Sequence, residues 1–151
     1  MRKLDFIIIG AQKAGTTTVA SWLRQNKNIF IPEEKEIPFF LDENIEKKGV
    51  GNFIKEYFSK AKANQILGKS TPQYMLFDYS FKKIKLTYPE IKLIVILRDP
   101  IDRMISHYDM NKRFGYEKKN INEVIDEQLN NLEFYRNTRF NNDRGKYIVA
   151  G

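Results

Sequence analysis

At 151 residues, 42% of them hydrophobic and 30% charged, the chain has the size and make-up of one soluble globular domain with a real core. It has no cysteine and a single histidine, which excludes disulfides, cysteine–metal sites and a histidine-rich metal cage. A formal charge of +7 points to anionic partners, although lysine-rich surfaces also serve solubility. No apolar run approaches the roughly 20 residues of a membrane span. Met1-Arg2-Lys3 leads into too short an apolar block for a secretory signal, so a cytoplasmic address is the expectation.

Phe6-Ile7-Ile8-Ile9 reads as a short buried strand. Gly10-Ala11-Gln12-Lys13-Ala14-Gly15 follows as a glycine-rich loop. A helix is then predicted from Thr16 to about Asn26, with Val19, Trp22 and Leu23 at helical spacing. Ile29-Phe30-Ile31 reads as a short extended piece. The charged run Glu33-Glu34-Lys35-Glu36 passes through Ile37-Pro38 into Phe39-Phe40, either as a solvated loop or as the lip of an active site. Phe53, Ile54, Tyr57 and Phe58 form a helical stripe. Gln65-Ile66-Leu67-Gly68 predicts a second strand, running out into Lys69-Ser70-Thr71-Pro72-Gln73-Tyr74, and Asp78 to Tyr88 a helix stopped by Pro89.

Lys92-Leu93-Ile94-Val95-Ile96-Leu97 is the strongest strand, apolar on both faces as a central parallel strand should be. After Arg98, Asp99 as N-cap and Pro100 at the first position open a helix, with Ile101, Met104, Ile105 and Tyr108 expected inward. Ile121, Val124, Ile125 and Leu129 mark another, Arg136 to Arg144 reads as loop, and Tyr147-Ile148-Val149-Ala150 begins something apolar. Strands alternating with helices predict an α/β fold with a mostly parallel sheet, in one domain over residues 1–151. Such sheets bind ligands at the carboxyl ends of their strands, where both the Gly10 loop and Arg98 fall.

Strand, glycine loop and helix start aim backbone N–H groups and a positive dipole end at an anion, so a phosphate is expected at Gly10–Thr18. The alternative is a tight βα turn with Lys13 solvated. A Walker loop is not present: Gly10 and Gly15 keep its spacing, but Thr16 stands where its lysine should be and the lysine lies inside the loop, at Lys13.

Four segments in order, Gly10 to Thr17, Lys35 to Phe40, Lys69 to Tyr74 and Leu97 to Tyr108, resemble the sulfotransferases that use 3′-phosphoadenosine 5′-phosphosulfate (PAPS), above all the heparan-sulfate-modifying branch and its bacterial relatives. The resemblance covers about residues 5 to 110. It implies a P-loop NTPase-like three-layer fold and transfer of a sulfuryl group from PAPS to a hydroxyl or amine of a carbohydrate or other small acceptor, with 3′,5′-ADP (PAP) as product and no metal. It assigns Lys13, Ala14, Gly15, Thr16, Thr17 and Thr18 to the 5′-phosphosulfate, with Lys13 at the leaving oxygen. Arg98 and Ser106 are assigned to the 3′-phosphate, Glu36 to the general base, and Lys35 to a place beside the sulfuryl group or acceptor.

Taken without the resemblance, Arg98 reads as an ion pair with Asp102, Ser106 as an ordinary helix hydroxyl and Glu36 as a surface carboxylate paired with Lys35. His107 is a rival base, read as mainly structural. Two departures stand out. Lys69 and Ser70 occupy the places of the family's glutamate and lysine, which puts a sulfuryl contact by Lys69 in doubt. Family members are also longer, so Gly145-Lys146-Tyr147, resembling the start of a later helix, suggests a chain incomplete at its C-terminus, with exposed apolar edges and weak PAPS binding. The rival functions are a P-loop kinase or NTPase, and an inactive fragment keeping only the nucleotide-binding fold.

Overall fold

A computed structural model describes residues 2–34 and 36–133. They form two compact units, the first ending at Leu97 and the second beginning at Arg98. The first holds β1 (Phe6–Gly10), α1 (Thr16–Arg24), β2 (Ile29–Phe30), α2 (Glu43–Lys47), α3 (Gly49–Tyr57), β3 (Ile66–Ser70), a 3-10 turn at Pro72–Leu76, α4 (Asp78–Thr87) and β4 (Lys92–Val95). The second holds α5 (Pro100–Arg113) and α6 (Ile121–Asn130). No helix among the described residues is long and apolar enough to cross a membrane.

The four strands pair in parallel in the order β2-β3-β1-β4, so their carboxyl ends share one edge of the sheet. Every residue of β1 is buried, and its period-2 alternation divides the core. Phe6 and Ile8 pack with Ala20, Ile31 and the α1 residues Val19 and Leu23. Ile7 and Ile9 face the opposite way, onto Leu67, Phe53 and Ile54 of α3, and Ile84 of α4. Helices therefore cover both faces of the sheet, the three-layer α/β arrangement that the resemblance implied.

Three expectations are corrected. Among the described residues β4 is not central: there it pairs only with β1, which is flanked by β3 on its other side. Ile94 and Ile96 pack toward α1, but Leu93 and Val95 stay 42% and 45% exposed, and Leu97 75%. An apolar run reports an affinity for burial on both faces but not which strand lies in the middle. Trp22 is 66% exposed, because Thr16, Val19, Ala20 and Leu23 form the contact face of α1 and Trp22 falls beside it. On α5, Ile101 and Ile105 are exposed where inward positions were expected, while Met104 and Tyr108 are half-buried.

The remaining boundaries shift little. α1 ends at Arg24 and β3 runs on through Ser70. Asp99 caps α5, accepting from the N–H groups of Ile101 and Asp102, with Pro100 at the first position. α6 opens on a capping box between Asn120 and Glu123. The segments expected at Arg136–Arg144 and from Gly145 onward lie outside the described residues.

Gly68 shows how closely the strands are fitted. A Cβ there would lie 2.0 Å from the ring of Phe6, its register partner on β1. Gly68→Ala should therefore destabilise the protein by about 1–3 kcal/mol through overpacking. Urea unfolding at neutral pH measures it, and a wild-type midpoint would mean that the Phe6 ring moves aside without cost.

Candidate active site

The loop after β1 is tied at its base to Ile96, the residue just past β4: the Ala11 N–H donates to the Ile96 carbonyl at 2.8 Å and the Ile96 N–H to the Gly10 carbonyl at 2.8 Å. Within it the Ala14 N–H donates to the Ala11 carbonyl at 3.1 Å, and Gly15 sits at the α1 N-cap with φ +92°. Only glycine adopts that angle without strain, and a Cβ at Gly15 would meet nothing within 4 Å. No side chain caps α1 and its first turn carries no acid, so the dipole end of this helix has no built-in anion. Ala14 and Thr16 are buried, Thr17 and Thr18 exposed, and Lys13 half-buried.

Lys13 and Glu36 share a backbone peculiarity. Among the described residues they are the two non-glycine positions with positive φ, at +69° and +54°. Holding a side-chain-bearing residue in that region costs about 1–3 kcal/mol, and such angles gather where function demands them.

Glu36 is held in place from both sides. Upstream, Arg24 of α1 donates to the Ile31 carbonyl at 3.2 Å and the Pro32 carbonyl at 2.7 Å, fastening the chain just before the acidic run. Downstream, the Ile37 carbonyl accepts from Thr71 Oγ1 and from the Tyr74 hydroxyl, both at 3.4 Å, and the Phe40 N–H donates to that same hydroxyl at 3.3 Å. Phe39 and Phe40 are core residues, 2% and 1% exposed, with their rings edge-on at 4.9 Å. The aromatic pair expected near a lip instead anchors the loop, and leaves Glu36 half-buried between the two anchors.

A small cleft of about 20 Å³, open to solvent, lies in this first unit. Thr17 and Arg24 of α1, Glu34 and Glu36 of the loop, and Lys69 and Ser70 of β3 supply its polar wall. Glu36 and Thr17 were both singled out from sequence, and they meet here; Lys13 is not among the residues that line this pocket. Lys35 lies outside the described residues. Arg98 and Ser106 belong to the second unit, where Arg98 lies 3.9 Å from Asp102, in an exposed pair of little energetic weight. Ser106 and His107 are half-buried on α5.

Lys69 is the residue that sequence reasoning undervalued. It is 2% exposed, with its ammonium 5.9 Å from the centre of the Phe53 ring. Burial pushes its pKa down to about 7, against the pull of Glu36 and then Glu34, which raise it. The signal was present in the alternation of β3: two residues on from Leu67, Lys69 shares the buried face of that strand.

This shift is also a stability statement. Between pH 7 and 10.5 the unfolded chain keeps a proton that folded Lys69 has released, so the contribution of this group to stability rises with pH across that window. Below pH 7 both states are charged and the full burial cost is present. Lys69→Met should accordingly stabilise the protein most at pH 6–7, by a few kcal/mol at about 1.4 kcal/mol per pKa unit. The advantage should shrink toward pH 10.5. Urea titrations of both proteins at a low and a high pH test this, and a constant difference would contradict it.

A parallel α/β sheet with a glycine loop at the end of β1 leading into a helix is an arrangement of the nucleotide-binding kind. The sulfotransferase domain family matches residues 3–140, and the chain belongs to that family. It is 30% identical over 106 residues to the membrane-associated sulfotransferase kil1 of Dictyostelium discoideum, covering 69% of this chain and 22% of that protein. It is likewise 30% identical over 102 residues to the human heparan sulfate glucosamine 3-O-sulfotransferase 3B1, covering 68% of this chain and 25% of the relative. The chain thus spans about a quarter of the length of these relatives. A sulfotransferase crystal structure from Alicyclobacillus acidocaldarius shares the fold, with a TM-score of 0.74 at 22% identity over 99% of this chain and 65% of that one.

Proposed function

We propose that the chain carries the donor-binding and base-bearing part of a PAPS-dependent sulfotransferase that acts on a carbohydrate hydroxyl or amine. The observation that carries this reading is the pair of strained positions, Lys13 and Glu36, falling on the two residues assigned to leaving-group and base chemistry. Carbohydrate is favoured as the acceptor because relatives are named for glucosamine 3-O-sulfation.

In this reading the N–H groups at the start of α1, with Thr16, Thr17 and Thr18, hold the 5′-phosphate, each charge-assisted bond contributing about 1.5–3 kcal/mol. Ala14 and Gly15 let the backbone approach closely. Arg98 and Ser106, from the second unit, are assigned the 3′-phosphate, the group that distinguishes this donor from ATP. Glu36 accepts the proton of the acceptor hydroxyl as its oxygen forms the new S–O bond. The bond from sulfur to the 5′-phosphate oxygen breaks, its electron pair stays on the phosphate, and Lys13 stabilises the charge that develops there. Lys35 is assigned to the sulfuryl group or acceptor.

Lys13 in mid-loop, with Thr16 in the place of a Walker lysine, disfavours a kinase or NTPase. The test is transfer of labelled sulfate from PAPS to a mixture of heparan sulfate glycans. Labelled glycan is the expected result, and PAPS recovered intact across the acceptor panel would overturn the reading.

A further inference from the structure

We propose that Lys69 is the positioning residue of Glu36, its buried ammonium drawing the carboxylate inward and fixing the direction in which it meets the acceptor. This deepens the sulfotransferase reading and rests on it for the identity of the reaction, but not for the pairing itself.

The placement of Lys69 follows from the strand. Register with Ile7 of β1 sets its side chain on the face covered by α3, where its ammonium lies over the Phe53 ring, 5.9 Å from the ring centre. An ammonium in that position needs a polar outlet, and the pocket it lines offers Glu34 and Glu36. The other cation in the wall, Arg24, is committed to the carbonyls of Ile31 and Pro32. On the Lys69 face of the sheet, then, β1 presents Ile7 and α3 an aromatic ring, while the cleft that Lys69 also lines carries the two loop carboxylates, with Thr17 and the committed Arg24 from α1. Of those carboxylates Glu36 exerts the stronger pull on Lys69.

A methionine of similar length would fill this space without the cost of desolvating a charge. A cation kept there at the expense of stability, facing a carboxylate whose backbone is itself held at a strained angle, fits preorganisation of a base better than it fits packing.

Two measurements test the pairing. In the first, kcat for PAPS and mixed heparan sulfate glycans is compared for wild type, Lys69→Met, Glu36→Gln and the double variant. Lys69→Met should lower kcat by about 10²-fold, the size of effect expected when a catalytic group is misplaced by an ångström. In the Glu36→Gln background the same change should cost under about twofold, because the group it positions is gone. Wild-type kcat/KM should also fall as pH rises through about 7, where Lys69 loses its charge, and Lys69→Met should lack that limb while Lys69→Arg recovers rate at high pH. Independent, multiplying losses, or an alkaline limb retained in Lys69→Met, would overturn the proposal.

The second measurement needs no turnover. In protein labelled with ¹³C-lysine, the Lys69 resonance is assigned by its loss in Lys69→Met and titrated in wild type, Glu34→Gln and Glu36→Gln. Glu36→Gln should lower the Lys69 pKa further, and by more than Glu34→Gln does. An unchanged Lys69 titration in Glu36→Gln overturns the pairing whatever reaction the protein performs. A responsive titration with no transfer from PAPS supports the pairing and sinks the sulfotransferase reading instead.

Discussion

Glu36→Gln is expected to lower sulfuryl transfer from PAPS by about 10²–10⁴-fold, the usual contribution of a positioned general base. The substitution keeps size and hydrogen-bonding shape, and the anchors on either side of residue 36 do not involve its carboxylate. Arg24 holds the carbonyls of Ile31 and Pro32, and Thr71 and Tyr74 hold that of Ile37. The fold and the affinity for 3′,5′-ADP should therefore survive, and the whole effect should fall on kcat. Single-turnover transfer alongside calorimetry separates the two quantities. A rate within about threefold of wild type would remove Glu36 from the proton transfer, since even weak general-base catalysis is larger than that.

Lys13→Ala should be the next most damaging change. Removing one preorganised donor from a site where charge develops typically costs about 10²–10³-fold in rate. Product binding should suffer less, by about tenfold, the weight of one charge-assisted hydrogen bond at the low end of its range. Rate falling further than affinity marks an interaction that strengthens in the transition state; equal losses would make Lys13 an ordinary phosphate binder. The backbone supplies a control. With φ at +69°, residue 13 is strained for any side chain, so Lys13→Gly should be more stable than Lys13→Ala by about 1 kcal/mol while remaining as inactive.

Local features of this chain were legible in the sequence. The buried strand Phe6–Gly10, the glycine at the head of α1, the Asp99–Pro100 helix start and the stripe of α3 each depend on residues close together in the chain. Their physics is short-ranged: alternation, capping and φ preference. Expectations that needed distant information fared differently. The strength of Lys92–Leu97 as a strand is real, but its place at the edge of the sheet formed by the described residues depends on which strands pair with β1. Phe39 and Phe40 were readable as apolar, yet only the bonds from Thr71 and Tyr74, more than thirty positions away, explain why they enter the core and present Glu36 beside them. Lys69 was missed for a local reason, the placing of the strand end. A lysine after a glycine suggests a strand end, whereas β3 continues through Ser70 and carries the charge inward. Trp22 erred in the opposite direction, its bulk suggesting burial where a helix face centred on Ala20 had no room for it.

The most direct measurement is calorimetric binding of 3′,5′-ADP, 5′-AMP and Mg-ATP to the purified chain and to Arg98→Ala. The proposed assignment of Arg98 to the 3′-phosphate predicts that 3′,5′-ADP binds the wild-type chain at least about tenfold more tightly than AMP, since one charge-assisted phosphate contact is worth roughly that factor. The preference should disappear in Arg98→Ala and exceed any affinity for Mg-ATP. AMP binding as tightly as 3′,5′-ADP, or Mg-ATP binding more tightly than either, would contradict it.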